Sequence, residues 1–156
     1  MKQIAGWALD VCHANGVQYA EIRIVDDRQR ALSTKNGKVG YVSDSESLGA
    51  GIRVLANGAW GFAATEDLTR EGVEITAGRA LEIARSSARV KQEDVRLAPE
   101  KAYVDEWASP CRIDPFSTSV EENIHLLLKI DAELRIVQGI TLAETNLNFR
   151  RYEQWF

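Results

Sequence analysis

The sequence predicts an α+β fold: a mostly antiparallel sheet that opens as an N-terminal strand meander, with about three helices packed on one of its faces. Three observations carry this. Between Tyr19 and Ala63 apolar residues alternate along the chain, and the runs are split by two Asn-Gly pairs, Asn36-Gly37 and Asn57-Gly58. Alternation is the side-chain period of a strand, and Asn-Gly suits two-residue hairpins in which both central residues take positive φ. On either side of this region the apolar period changes to that of an amphipathic helix, and helices laid on one sheet face bury such stripes economically.

The first helix is expected from about Lys2 to Ala14, where Ile4, Trp7, Ala8 and Val11 recur at the spacing of one buried stripe. Asn15-Gly16 supplies its left-handed stop. In the strand that follows, Ala20, Ile22 and Ile24 share one face and Tyr19, Glu21 and Arg23 the other, and the strand is expected to run on to Thr34. Val39–Val42 returns, the polar stretch Ser43–Ser47 reads as a break, and Ala50, Ile52, Val54 and Ala56 resume the alternation. Asn57-Gly58 then turns the chain into Ala59–Ala63, giving a meander of about four strands. Asp67 or Thr69 caps a second helix with an alanine-rich stripe, Val73, Ala77, Ala80, Leu81, Ala84 and Ala88, suited to close packing on a sheet. Val90–Pro115 reads as a connector with a short strand at Ala102–Val104. Ser119 with Glu122 forms a capping box, and Val120, Ile124, Leu127, Ile130, Leu134 and Val137 mark the third helix. Gly139 ends it, and Ile140–Phe149 reads as a last strand.

A chain of 156 residues with 45% hydrophobic and 27% charged side chains is of ordinary globular composition. We expect residues 1–156 to form a single domain. The net charge of −4 and the scattered Lys and Arg argue against a nucleic-acid partner. Two cysteines make no disulfide framework, and Cys12 inside a helix reads as a buried thiol. The opening residues do not read as a basic-then-apolar leader, and no apolar run approaches the ~20 residues that cross a bilayer. The expectation is a cytoplasmic protein with no membrane partner.

Chemistry is sparse. Glu121 and Glu122 stand four and three residues before His125, a spacing that places carboxylate and imidazole on one helix face. No second ligand set accompanies them, so a solvated helix face is favoured. Cys12 and His13 are adjacent on a helix and diverge by about 100°. Gly49-Ala50-Gly51 lacks the spacing and helix of a dinucleotide loop, and no Walker loop, Gly-x-Ser-x-Gly elbow or His-Glu-x-x-His is present. Neither catalytic nor metal-ligating residues are assigned. Asn57-Gly58-Ala59-Trp60-Gly61-Phe62 is open to two readings: a close approach of another backbone, or a tight hairpin with one core aromatic.

The segment YAEIRIVDDRQRALSTKNGKV, followed by SLGAGIRVLANGAWGFAATEDL, resembles the N-terminal domain of the TldD/PmbA family, once called modulators of DNA gyrase. The order and spacing of the Ala-Glu-Ile-Arg strand, the Lys-Asn-Gly hairpin, and the Gly-Ala-Gly-Ile-Arg-Val and Gly-Ala-Trp-Gly-Phe-Ala strands carry the likeness. SPCRIDPFSTSVEENIHLLLKID, with its Asp-Pro loop, is similar to TldD-type more than PmbA-type members. The resemblance implies a two-domain zinc metallopeptidase involved in proteolysis, whose metal sits on a His-Glu-x-x-x-His helix, with a further Cys, beyond this domain. It also implies dimers, some pairing an active with a metal-less subunit. No ligand carries over: His13 and His125 are neither followed by Glu nor five residues from another His.

Two expectations follow. The chain is an N-terminal module without a cofactor of its own. Zinc belongs to a C-terminal metal domain absent here, in keeping with the aromatic run Phe149, Tyr152, Trp155 and Phe156 that closes the sequence. Its partners are then that domain, a homo- or hetero-dimer subunit, and a peptide substrate of the full-length protein. The candidate cleft or interface surface is Arg53, Asn57, Gly58, Trp60 and Phe62. A second reading of the same residues is a free-standing protein-interaction domain that binds a partner through a sheet edge.

Overall fold

The first helix, α1 (Lys2–Ala14), ends as its sequence predicts: Gly16 takes φ +65° and donates its backbone N–H to the His13 carbonyl at 3.0 Å. The computed structural model describes all 156 residues. The remaining elements are β1 (Tyr19–Lys35), β2 (Lys38–Ala56), β3 (Ala59–Thr65), α2 (Arg70–Ser87), a 3-10 turn (Pro115–Ser117), α3 (Val120–Ile136) and β4 (Glu144–Trp155). The four strands form one sheet in the order β3-β2-β1-β4, so the class is α+β with a strand meander at the N-terminus.

Both Asn-Gly pairs make the turns expected of them. Asn36 and Gly37 take φ +48° and +78°, and Asn57 and Gly58 take +52° and +73°. The meander holds three strands rather than four. Ser43–Ser47, expected as a break, lies inside the 19-residue β2. No glycine or proline interrupts these residues, and their polar side chains pair across strands instead. Asp44 meets Arg30 at 2.7 Å, and Glu46 meets Arg28 at 2.9 Å. The last strand begins at Glu144, later than Ile140, and continues to Trp155. Ala102–Val104 forms no strand; it lies in an irregular segment with Val104 fully exposed.

The chain gathers into two compact units. The first comprises Met1–Asp26, Ser47–Ala102 and Tyr152–Phe156, and the second Asp27–Glu46 and Tyr103–Arg151. In the first unit Ile22, Ile24, Ile52 and Val54 are buried with Val73, Ala77, Ala80, Leu81 and Ala84 of α2 and Ala8 and Cys12 of α1. Each aliphatic side chain of that size contributes about 1.5–3 kcal/mol by leaving water. Thr69 caps α2 through a hydrogen bond from the Gly72 N–H. The alanine stripe does bring the helix close to the sheet. A Cβ on Gly61 of β3 would collide with the Ala80 carbonyl oxygen and the Ala84 nitrogen, so only glycine fits beneath α2.

In the second unit α3 begins with the predicted capping box: the Ser119 hydroxyl accepts from the Glu122 N–H, and the Glu122 carboxylate accepts from the Ser119 N–H. Its buried residues are Asn123, Leu127 and Asp131. The expected apolar stripe is therefore only partly covered, since Ile130, Leu134 and Val137 stay exposed. The cause is Asp131, fully buried, whose carboxylate accepts from the Gly37 N–H at 2.7 Å, the Arg135 guanidinium at 2.7 Å and the Thr34 hydroxyl at 3.3 Å. Satisfying that carboxylate sets the rotation of the helix.

Candidate functional site

The second hairpin belongs to the first unit, and its register fixes what faces what: Arg53 pairs with Phe62, Leu55 with Trp60, and Gly51 with Ala64. Arg53 lies 2.9 Å from the Glu21 carboxylate and sits over the Trp60 ring, 4.5 Å from its centroid. Glu21 also accepts the Tyr19 hydroxyl at 2.9 Å, and the Tyr19 ring meets Trp60 edge-on at 6.0 Å. The Glu21 carboxylate on its hydroxyl, and then burial, push the Tyr19 phenol above its ordinary value, so it remains a proton donor. Phe62 spreads over Gly51, where a Cβ would come within 3.0 Å of the ring.

The two glycines Gly49 and Gly51 and the side chains of Glu21, Arg23, Arg53 and Phe62 line an open groove of about 760 Å³. Phe62 is 58% exposed there. The groove offers an apolar ring, two guanidinium groups and a carboxylate, a combination suited to binding a polypeptide surface rather than to bond-making chemistry.

Of the residues singled out from the sequence, Arg53, Trp60 and Phe62 come together around the Glu21 carboxylate and the groove beside it. Asn57 and Gly58 do not join them; they form the turn, which the segment after α2 covers. The Gly58 N–H donates to Gln18 Oε1 at 2.7 Å, the Val95 N–H donates to the Gly58 carbonyl at 2.9 Å, and Lys91 Nζ donates to the Asn57 carbonyl. The close approach of another backbone is found at Gly61, beneath α2, whereas Trp60 is half-buried rather than a core aromatic. Reasoning from the hairpin missed Tyr19, Glu21 and Arg23. Their alternation along β1 is the signal that finds them, because it places all three on the face opposite Ile22 and Ile24.

The residues present do not fit a zinc ion. Cys12 is fully buried and its thiol is pushed up by burial, whereas His13 is exposed. Glu121 and His125 are 3.8 Å apart on an exposed helix face. No group of three or more His, Cys, Asp or Glu side chains is assembled to hold a metal. No helix is long and apolar enough to cross a membrane.

Comparison with known proteins gives this geometry a context. Residues 20–84 match the model of the PmbA/TldA metallopeptidase domain 1. A metalloprotease of Methanocaldococcus jannaschii is 26% identical over 110 residues, covering 70% of this chain and 24% of that protein. One of Methanothermobacter thermautotrophicus is 43% identical over 56 residues, covering 36% and 12%. Among solved structures, a Bacteroides thetaiotaomicron protein described as a modulator of DNA gyrase superposes with a TM-score of 0.71 at 18% identity, over 98% of this chain and 36% of its own. TldE from Thermococcus kodakarensis gives 0.67 at 13% identity, over 99% and 34%. At such identities these two structures show the shared fold. The chain spans about a quarter or less of the length of the curated relatives it matches.

Proposed function

We propose, from the match of residues 20–84 to the first domain of the PmbA/TldA metallopeptidases, that this chain is the non-catalytic N-terminal module of a longer, cytoplasmic TldD-like enzyme. In this reading the module forms one wall of the peptide cleft and docks the metal-bearing domain. Zinc, and the peptide cut with its help, belong to that other domain. The module also takes part in pairing two subunits. Two unpaired cysteines are in keeping with a reducing compartment.

The observation that carries the reading is the groove at the second hairpin. Gly49 and Gly51 line it, and Phe62, spread over Gly51, stands 58% exposed at its side. A large exposed ring beside stacked Arg53 and Trp60 is the composition of an interface anchor. The occupant we assign is the metal-bearing domain of the same protein, because the relatives extend well beyond the matched part.

The test uses the full-length protein. Phe62→Glu is expected to lower peptide cleavage about tenfold or more, the scale of losing one interface anchor. The thermal midpoint of the isolated module is expected to hold, since Phe62 supports little of its core. Trp60→Ala is the companion variant. Unchanged cleavage and unchanged subunit association in both would overturn the assignment.

A further inference from the structure

The exposed flank of α3 is more apolar than the face it buries. Leu126, Ile130, Leu134 and Val137 are 51%, 42%, 37% and 55% exposed, whereas two of the three buried residues, Asn123 and Asp131, are polar. Spacings of four, four and three residues align these four side chains in one stripe along the helix. Ile136, Ile140 and Leu142, also exposed, extend the apolar surface past the helix end. A helix whose apolar residues served its own unit would turn them inward. Here Asp131 holds the rotation and leaves them outside.

We propose that this stripe pairs antiparallel with the same stripe of a second copy of the chain, across a two-fold axis at Ile130. The argument is self-complementarity. With about 1.5 Å of rise per residue, Leu126 and Leu134 lie about 6 Å on either side of Ile130. A two-fold axis perpendicular to the helix therefore sets Leu126 of each copy against Leu134 of the other. The same operation keeps each flank of the stripe facing its counterpart. On the outer flank, Lys129 lies about 1.5 Å before the axis and Glu133 about 4.5 Å beyond it. Each Lys129 thus faces the other copy's Glu133 with an axial offset of about 3 Å, within reach of its flexible stem. Both side chains are exposed, and neither is engaged in an ion pair within its own chain. In a parallel two-fold pair the flanks that carry Lys129 and Glu133 would lie on opposite sides of the seam, so only the antiparallel arrangement brings Lys129 of one copy to Glu133 of the other.

The inference rests on the proposed pairing of subunits but not on the docking of a metal domain at the second hairpin. Analytical ultracentrifugation of this chain tests it, with circular dichroism as the folding control. The chain is expected to dimerise, and Ile130→Glu to give a folded monomer with an unchanged thermal midpoint. Lys129→Glu alone is expected to weaken the dimer about tenfold, and Lys129→Glu with Glu133→Lys to restore it, a rescue that a purely structural role for either residue would not produce. A chain that stays monomeric at all concentrations would overturn both this interface and the pairing of subunits by the module. A dimer indifferent to Ile130→Glu and to the charge exchange would overturn the interface alone. In that event another part of a longer protein becomes the occupant of the stripe.

Discussion

The two units of this chain solve the same packing problem with opposite chemistry. In the first, aliphatic side chains of β1 and β2 meet two helices through small residues, and α2 approaches β3 closely enough that Gly61 is required. In the second, α3 buries a carboxylate and an amide, and β1 buries Arg30 and Thr34. Arg30 is held by Asp44 at 2.7 Å and by the Thr118 carbonyl at 2.8 Å, and Thr34 shares a hydrogen bond with Thr145 at 2.7 Å. A dry core specifies its arrangement through shape alone, whereas a hydrogen-bonded one adds a penalty for each missing partner. One buried side-chain polar atom goes without a protein partner, Nδ2 of Asn123. The contrast explains why the first unit keeps its apolar side chains inside and the second leaves a stripe of them outside.

The largest effect that would break this contrast is expected at Gly61. Gly61→Val drives a branched side chain into the α2 backbone, which cannot rotate away. We expect a loss of about 3 kcal/mol or more in urea unfolding, at the upper end for overpacked sites. A loss below about 1 kcal/mol would mean that α2 yields easily and the contact is loose. Next comes Asp131→Leu. It strips the Gly37 N–H and Thr34 hydroxyl of their acceptor, with an expected cost of about 2–3 kcal/mol. A neutral or stabilising result would show that an apolar core serves the second unit equally well.

The smallest effect is acid sensitivity. Hydrogen bonds from Arg30 and then Arg28 hold the Asp44 carboxyl below the usual carboxylate range. A carboxylate lowered on folding stabilises the protein above its unfolded pKa. That contribution is given up as pH falls through the folded value, below about pH 4. Denaturation midpoints should therefore drop less steeply with acid in Asp44→Asn than in the parent chain. Superimposable profiles would remove Asp44 from the balance.

How far the sequence could be read follows the same division. Apolar period located α1 and the alanine stripe of α2, because in the first unit burial follows apolarity, and the Asn-Gly pairs located the helix stop and the two hairpins. The capping box at Ser119 was equally legible, being a local motif. The interior of β2 was not: Ser43–Ser47 looks like a loop until Arg28 and Arg30 supply cross-strand partners from β1, the facing strand of the same hairpin. The face of α3 was misread in part for the same reason, since nothing local shows that Asp131 will find the Gly37 N–H. At the candidate site, the hairpin motif led to Arg53, Trp60 and Phe62, whereas the alternation of β1 gives the face of Glu21 and only the pairing of β1 with β2 sets it against Arg53.

The two Asn-Gly turns have a bearing on how this chain ages. Such a step deteriorates when the glycine amide nitrogen attacks the asparagine side chain and closes a succinimide, which reopens mainly to an isoaspartate with an extra methylene in the backbone. In both turns that nitrogen is already committed: Gly37 donates to Asp131 at 2.7 Å and Gly58 to Gln18 at 2.7 Å. The Asn36 side chain is held as well, its Oδ1 accepting from the Ala143 N–H at 2.9 Å. The contacts that fix the hairpins thus also hold the reacting groups away from the geometry of cyclisation. Loss of Asp131 or Gln18 would expose the corresponding turn to slow chemical damage, apart from any change in the balance between folded and unfolded chain.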